Sequence, residues 1–189
     1  MSTLQQSTDA TPRKLTVATA WLDGCSGCHM SFLDLDERLL ALAELIDVVY
    51  SPLVDAKQLP EQVDLGILEG AVSNENDLQQ ARLFRQHCKV LISLGDCAVT
   101  GNVPAMRNTF PLKAVFERAY YENVTQRPGV IPTIEVPALL TYVQPLHAVV
   151  PVDIFIPGCP PRADAIYTIL ADLLAGKTPD PNAVTRFGA

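Results

Sequence analysis

The chain has no basic run: 14 lysines and arginines stand against 21 aspartates and glutamates in 189 residues, a formal net charge of -7. A phosphate backbone repels such a surface, which argues against nucleic acid as a partner. Nor is there a stretch of about 18 consecutive apolar residues of the kind that crosses a bilayer. The most apolar region, 130–155, is broken by Pro132, Pro137, Pro145 and Pro151. Residues 1–11 are polar and lack both the charged-then-apolar layout of a secretory signal and a twin-arginine pair. The expectation is a cytoplasmic protein that binds neither membrane nor nucleic acid. No internal repeat or low-complexity tract is visible. What is present is a composition 48% hydrophobic and 19% charged, enough apolar side chain to build a packed core. At 189 residues, one domain with modest appendages is the default. Five cysteines accompany it, and in a reducing compartment these point to metal or redox chemistry before disulfides.

Strand-like and helix-like patterns alternate. Residues 14–21 (KLTVATAW) form a short apolar run that stops at the Asp23-Gly24 turn signal. Phe32, Leu35, Leu39, Leu42 and Ile46 then recur at helical spacing, which predicts one amphipathic helix starting near Cys28. Residues 46–53 and 63–69 read as strands. Ser73 and Asn74 can cap a helix whose first turn carries Glu75 and Asp77 and whose apolar face is Leu78, Ala81, Phe84 and Cys88. Residues 89–94 (KVLISL) predict a buried strand that ends at Gly95, and 153–156 (DIFI) the last strand. A helix over 161–175 follows, with Gly176 as its stop signal. Between 101 and 152 only a helix over 113–122 is predicted. The alternation implies an α/β fold with a doubly wound parallel sheet over 14–176, flanked by tails at 1–13 and 177–189.

The cysteines fall at informative places. In an open parallel sheet, ligands bind outside the carboxyl ends of the strands. Cys25 follows the first strand and its turn, Cys97 follows KVLISLGD, Cys159 follows DIFIPG, and Cys28 is three residues after Cys25. Four thiolates meeting on one rim suit an iron–sulfur cluster or a tetrahedral zinc. Gly24, Gly27, Gly95 and Gly158 would let the backbone turn tightly and aim amide hydrogens at sulfur. Cys88, beside Phe84 and Ala81 on an apolar face, reads as core. Structural zinc usually takes two closely spaced cysteine pairs, whereas one pair is close here. The CSGCH run at Cys25 to His29 matches c-type haem attachment, but that reading, like a thioredoxin-type dithiol, leaves Cys97 and Cys159 without a purpose. His29 is read as a helix-start residue near the site. Glu69, ending its strand on the same rim, is a candidate for a proton path or an interface; the plainer reading is a solvated strand-end acid. Asp96 is read first as a turn residue.

Four ordered motifs carry a resemblance: WLDGCSGCHMS at Trp21 to Ser31, EGAVS at Glu69 to Ser73, GDCAVTGNVP at Gly95 to Pro104 and PGCPPRADAI at Pro157 to Ile166. The chain resembles the small subunits of nickel–iron hydrogenases. That resemblance implies a flavodoxin-like fold in which Cys25, Cys28, Cys97 and Cys159 hold the proximal [4Fe-4S] cluster, while the Ni-Fe centre belongs to a separate large subunit. Membrane-linked relatives carry a leader and a C-terminal extension with further clusters; this chain has no cysteine after Cys159. It is most similar to the small subunits of soluble NAD-reducing hydrogenases, which implies diaphorase partner subunits holding the remaining clusters, FMN and NAD. The chain has no nicotinamide-binding glycine fingerprint, and no flavin is assigned to it. The related cluster-bearing subunit of NADH:quinone oxidoreductase is the alternative; that family has two adjacent cysteines where this chain separates Cys25 from Cys28 by Ser26 and Gly27.

Overall fold

A computed structural model describes residues 13–125 and 129–187. In chain order the elements are β1 (Leu15–Trp21), α1 (Gly27–Leu33), α2 (Arg38–Ala43), β2 (Ile46–Tyr50), β3 (Val63–Glu69), β4 (Val72–Asn74), α3 (Glu75–His87), β5 (Cys88–Leu94), α4 (Gly95–Thr100), α5 (Leu112–Phe116), β6 (Leu139–Gln144), β7 (Ile154–Ile156) and α6 (Ala163–Leu174). Five strands pair in parallel in the order β2-β1-β3-β5-β7. Among themselves these strands run 2-1-3-4-5, the flavodoxin-like order, whose switch point lies between β1 and β3. The α/β expectation is met.

Near-continuous apolar strands arise because both faces of the sheet are covered. Along β5, Leu91 packs with Phe84 and Ala81 of α3, while Ile92 and Leu94 pack on the opposite face with Ile166, Ile169 and Leu170 of α6. The period-two alternation of a strand thus sends successive side chains into two cores. Cys88 lies in the α3-side core, 4% exposed, and burial pushes its thiol up to about 11. Helix α3 starts with a capping box: the Asn74 side chain accepts from Asp77 N–H, and the Asp77 carboxylate accepts from the Asn74 backbone. Such a cap contributes about 1 kcal/mol.

Two predicted helices differ from what their spacing suggests. Phe32, Leu35, Leu39, Leu42 and Ile46 all reach the α6-side core, yet they are spread over two short helices, the turn between them and the start of β2: Phe32 is on α1, Leu35 in the turn, Leu39 and Leu42 on α2, and Ile46 opens β2. Between α1 and α2 the backbone bonds Leu35 N–H to Phe32 O and Asp36 N–H to Leu33 O, and Asp36 adopts φ 51°. Aspartate tolerates that left-handed conformation, so the stripe survives while the helix breaks. The helix expected over 113–122 is α5 followed by a π turn, Glu117–Tyr121.

Residues 101–152 make an excursion from the sheet. A 3₁₀ turn, Pro104–Thr109, opens it, and β6 returns antiparallel to β4. Side chains hold the two together. Arg107 donates to the carbonyls of Ser73, Leu140 and Thr141, and Asn108 both donates to Val143 O and accepts from Val143 N–H. The segment expected as a C-terminal tail carries a 3₁₀ turn, Pro181–Ala183, and its Val184 packs against the α6-side core. Most of the expected N-terminal tail, 1–12, and the last two residues lie outside the described residues. Among the described residues, no helix is long and apolar enough to cross a membrane.

Candidate iron–sulfur site at the carboxyl edge of the sheet

Strand register builds the site. Trp21 pairs with Glu69, Glu69 with Leu94, and Leu94 with Ile156, so the ends of β1, β3, β5 and β7 lie in one row. Short connections leaving that row deliver Cys25 and Cys28 after β1, Cys97 after β5 and Cys159 after β7. The four thiols line one small cavity of about 70 Å³, with Glu69, Asp96, Gly70 and Gly158 also in its wall. Cys25 and Cys159 are exposed, Cys28 and Cys97 half-buried, and all four are free thiols.

The backbone allows this approach at two glycines. Gly95 has φ 83°, and a β-carbon there would fall 2.2 Å from Cys28 Sγ. Gly158, at φ 137°, would drive a β-carbon to 2.5 Å from Pro161 Cα. Gly24 and Gly27 have no such conformation; within CSGC the left-handed residue is Ser26, φ 61°. Two cross-links then fix the Cys159 loop. Asp96 accepts from Gly158 N–H at 2.7 Å, while its own N–H donates to Gly158 O at 2.8 Å. Ser31, buried in α1, donates to Pro161 O at 2.5 Å. Asp96, in the first turn of α4, therefore clamps the Cys97 helix to the Cys159 loop and is more than a turn residue.

The electrostatics disfavour isolated thiolates. Burial raises the Cys28 thiol, and Glu69, Cys97 and Cys25 raise it further. Burial likewise raises Cys97, helped by Cys159 and Cys25 and opposed by hydrogen bonds from Val103 and Asn102. No basic side chain is among the described residues lining the cavity to offset these charges. Four converging thiols of this kind are complementary to a cationic metal centre, which neutralises what burial penalises. Among the described residues, no three His, Cys, Asp or Glu side chains are grouped around a single-ion position. The donors instead surround a cavity, and an all-sulfur set around a cavity fits a multi-iron cluster.

Glu69 is not a solvated acid: it is 2% exposed. Its Oε2 accepts from His29 N–H at 2.7 Å, and its carboxylate stands beside Cys28 in the cavity wall. His29 Nδ1 lies 3.0 Å from the same oxygen, outside hydrogen-bond alignment. His29 Nε2 meets Thr19 Oγ1 at 2.9 Å, and Thr19 Oγ1 meets Ser51 Oγ at 2.7 Å. Ser51 in turn borders a second cavity of about 230 Å³ with Trp21, Tyr50 and Lys57. His29 is thus a buried link between Glu69 and the sheet, beside the cysteines as expected. Thr19 and Ser51 carry no sequence signal, since isolated hydroxyls inside strand-like runs are ordinary.

The chain is similar to known proteins in sequence and in fold. The family model described as NADH ubiquinone oxidoreductase, 20 Kd subunit, matches residues 25–173. The NAD-reducing hydrogenase HoxS subunit delta of Cupriavidus necator is 46% identical over 92% of this chain and 86% of that subunit. A subunit of the F420-non-reducing hydrogenase of Methanothermobacter marburgensis is 41% identical over 87% of this chain, which spans only 54% of that protein. In the crystal structure of an NAD+-reducing [NiFe]-hydrogenase in the H2-reduced state, one chain superposes with a TM-score of 0.88 at 41% identity, covering 93% of this chain and 99% of that one. A [NiFeSe]-hydrogenase of Desulfomicrobium baculatum, at TM-score 0.55 and 16% identity, shares the fold.

Proposed function

We infer the function from the family to which the chain belongs: it is a member of the NADH ubiquinone oxidoreductase 20 kDa subunit family and, within it, stands with the small subunits of NAD-reducing [NiFe] hydrogenases. It is the iron–sulfur, electron-transferring subunit of a multi-subunit hydrogenase, an oxidoreductase, with a hydrogenase large subunit as partner. We propose that Cys25, Cys28, Cys97 and Cys159 together hold one [4Fe-4S] cluster, proximal to the Ni-Fe centre of the large subunit. The observation that carries this reading is that four thiols distant in sequence line one cavity at the carboxyl edge of the sheet.

Such a cluster, when bound, takes up and returns one electron at a time. The chain supplies the conditions. Ligands mounted just beyond in-register strand ends are held by the sheet, Gly95 and Gly158 let the connecting segments approach, and Asp96 locks α4 to the Cys159 loop. The exposed thiols Cys25 and Cys159 mark the side that faces a partner. Diaphorase subunits carrying further clusters, FMN and the NAD site complete the proposed route, and no flavin site is assigned to this chain. Five free cysteines accord with a reducing cytoplasm as the location.

Glu69 is proposed to serve a proton path. Glu69, His29, Thr19 and Ser51 form a chain of contacts from beside Cys28 to the cavity bordered by Tyr50 and Lys57. Glu69→Gln keeps the acceptor for His29 N–H and removes the acid. The expected outcome is unchanged iron content with hydrogen-dependent turnover lowered at least several-fold; full turnover would remove Glu69 from the path.

The decisive experiment is chemical analysis of the anaerobically purified complex alongside a Cys159→Ser variant. The parent should contain iron and acid-labile sulfide and show a broad visible absorbance that bleaches on reduction. Cys159→Ser should lose or weaken the cluster and abolish hydrogen-dependent NAD reduction. A colourless parent holding zinc without sulfide, or a fully active Cys159→Ser complex, would overturn the proposal.

A further inference from the structure

Asn102 stands at the mouth of the cysteine cavity in a conformation that asparagine visits but does not prefer, φ 32°, just after Gly101 closes α4. Its N–H donates to Thr100 Oγ1 at 3.3 Å, and Thr100 Oγ1 donates to Asp96 O at 2.8 Å, so the end of α4 holds the residue in place. The side chain reaches back over the thiols. Asn102 Nδ2 donates to Cys159 Sγ at 3.6 Å, and the same carboxamide bonds to Cys97, to which the next residue, Val103, also donates its N–H. One carboxamide therefore touches two thiols, one in α4 and one in the loop after β7, that are far apart in sequence.

We propose that Asn102 is a positioning residue that ties Cys97 to Cys159 and, through its N–H donors, raises the reduction potential of the iron–sulfur group those thiols hold. The inference rests on the proposed function. Its physical basis is that a donor aimed at a ligand sulfur stabilises the more negative, reduced state of a cluster, and such hydrogen bonds are among the factors that set cluster potentials. A residue that merely shaped the loop would leave that potential where it is.

Two substitutions separate these roles. Asn102→Asp keeps the size but replaces the donor with a negative charge; Asn102→Gly removes the carboxamide and accepts the left-handed backbone without strain. Both are made in the assembled complex, and iron and acid-labile sulfide are counted per chain. The midpoint potential is read by redox titration of the paramagnetic resonance signal that Cys159→Ser abolishes. Asn102→Asp should lower the equilibrium constant for cluster reduction by about tenfold, a shift of about 59 mV to more negative values for a one-electron couple. Asn102→Gly should move the same way by less. Parental potentials in both variants would overturn the inference while leaving the cluster assignment intact. A parent without iron and sulfide would instead overturn the proposed function on which it rests.

Discussion

At the cysteine rim, four strand ends in register leave the backbone little freedom, whereas the 101–152 excursion is held by one short antiparallel pairing, by Arg107 reaching for the Ser73 carbonyl, and by Leu146 and Val150 packed in the α3-side core. Each rim loop is short, and its closing contacts are backbone bonds or bonds to backbone, such as Asp96 with Gly158 and Ser31 with Pro161. In the excursion, Arg107 and Asn108 supply bonds to β4 and β6, while Val103, Met106 and Phe110 remain more than 60% exposed. The difference teaches where precision is needed. Side chains that are to hold one group in common must keep their geometry to within about 0.5 Å, and sheet register provides that.

The largest expected effect strikes the rim. Gly95→Ala places a β-carbon onto Cys28 Sγ at a backbone φ of 83°. Iron and sulfide content should fall to a small fraction of the parent's, while circular dichroism of the folded chain changes little. A fully loaded Gly95→Ala protein would show that the rim is more pliable than its register implies. Next comes Arg107→Ala, which removes three hydrogen bonds to carbonyls and should destabilise the excursion by about 2 kcal/mol, read by thermal unfolding. Its iron content should stay at the parental level; iron loss would mean that the two regions are one mechanical unit.

The smallest effect lies at the opposite, amino edge of the sheet. Burial raises the Asp64 carboxyl, but Lys89, the Thr16 N–H and hydroxyl, and Arg13 outweigh burial and hold it well below the usual carboxylate range. Its folded pKa lies below the unfolded value of about 3.9, so its stabilisation is complete above that pH and is lost as pH falls through the folded value. Asp64→Asn should cost on the order of 1 kcal/mol at pH 7. That cost should shrink steadily as unfolding is repeated below about pH 4. A pH-independent cost would assign the effect to packing instead.

Much of the rim was legible in advance because its signals are local. KVLISLGDC shows a buried strand, a glycine and a thiol in order, and DIFIPGC repeats the pattern. The excursion was not, because β4 is three residues long and β6 finds it across more than sixty residues, a pairing that no local periodicity announces. The burial of Glu69 escaped for a related reason. A strand-end acid reads as solvated until the α1 backbone and His29 are folded over it.

The sequence by itself determined the strand and helix alternation, the placement of four thiols just beyond strand ends, and the core role of Cys88, because each depends on neighbours within a few residues. Only the tertiary structure decided that Glu69 is buried against His29, that Asp96 clamps the Cys159 loop, and that Asn102 spans two thiols. Those relations join segments 40 to 62 residues apart, and their geometry is set by the register of parallel strands, which exists only once the sheet has formed.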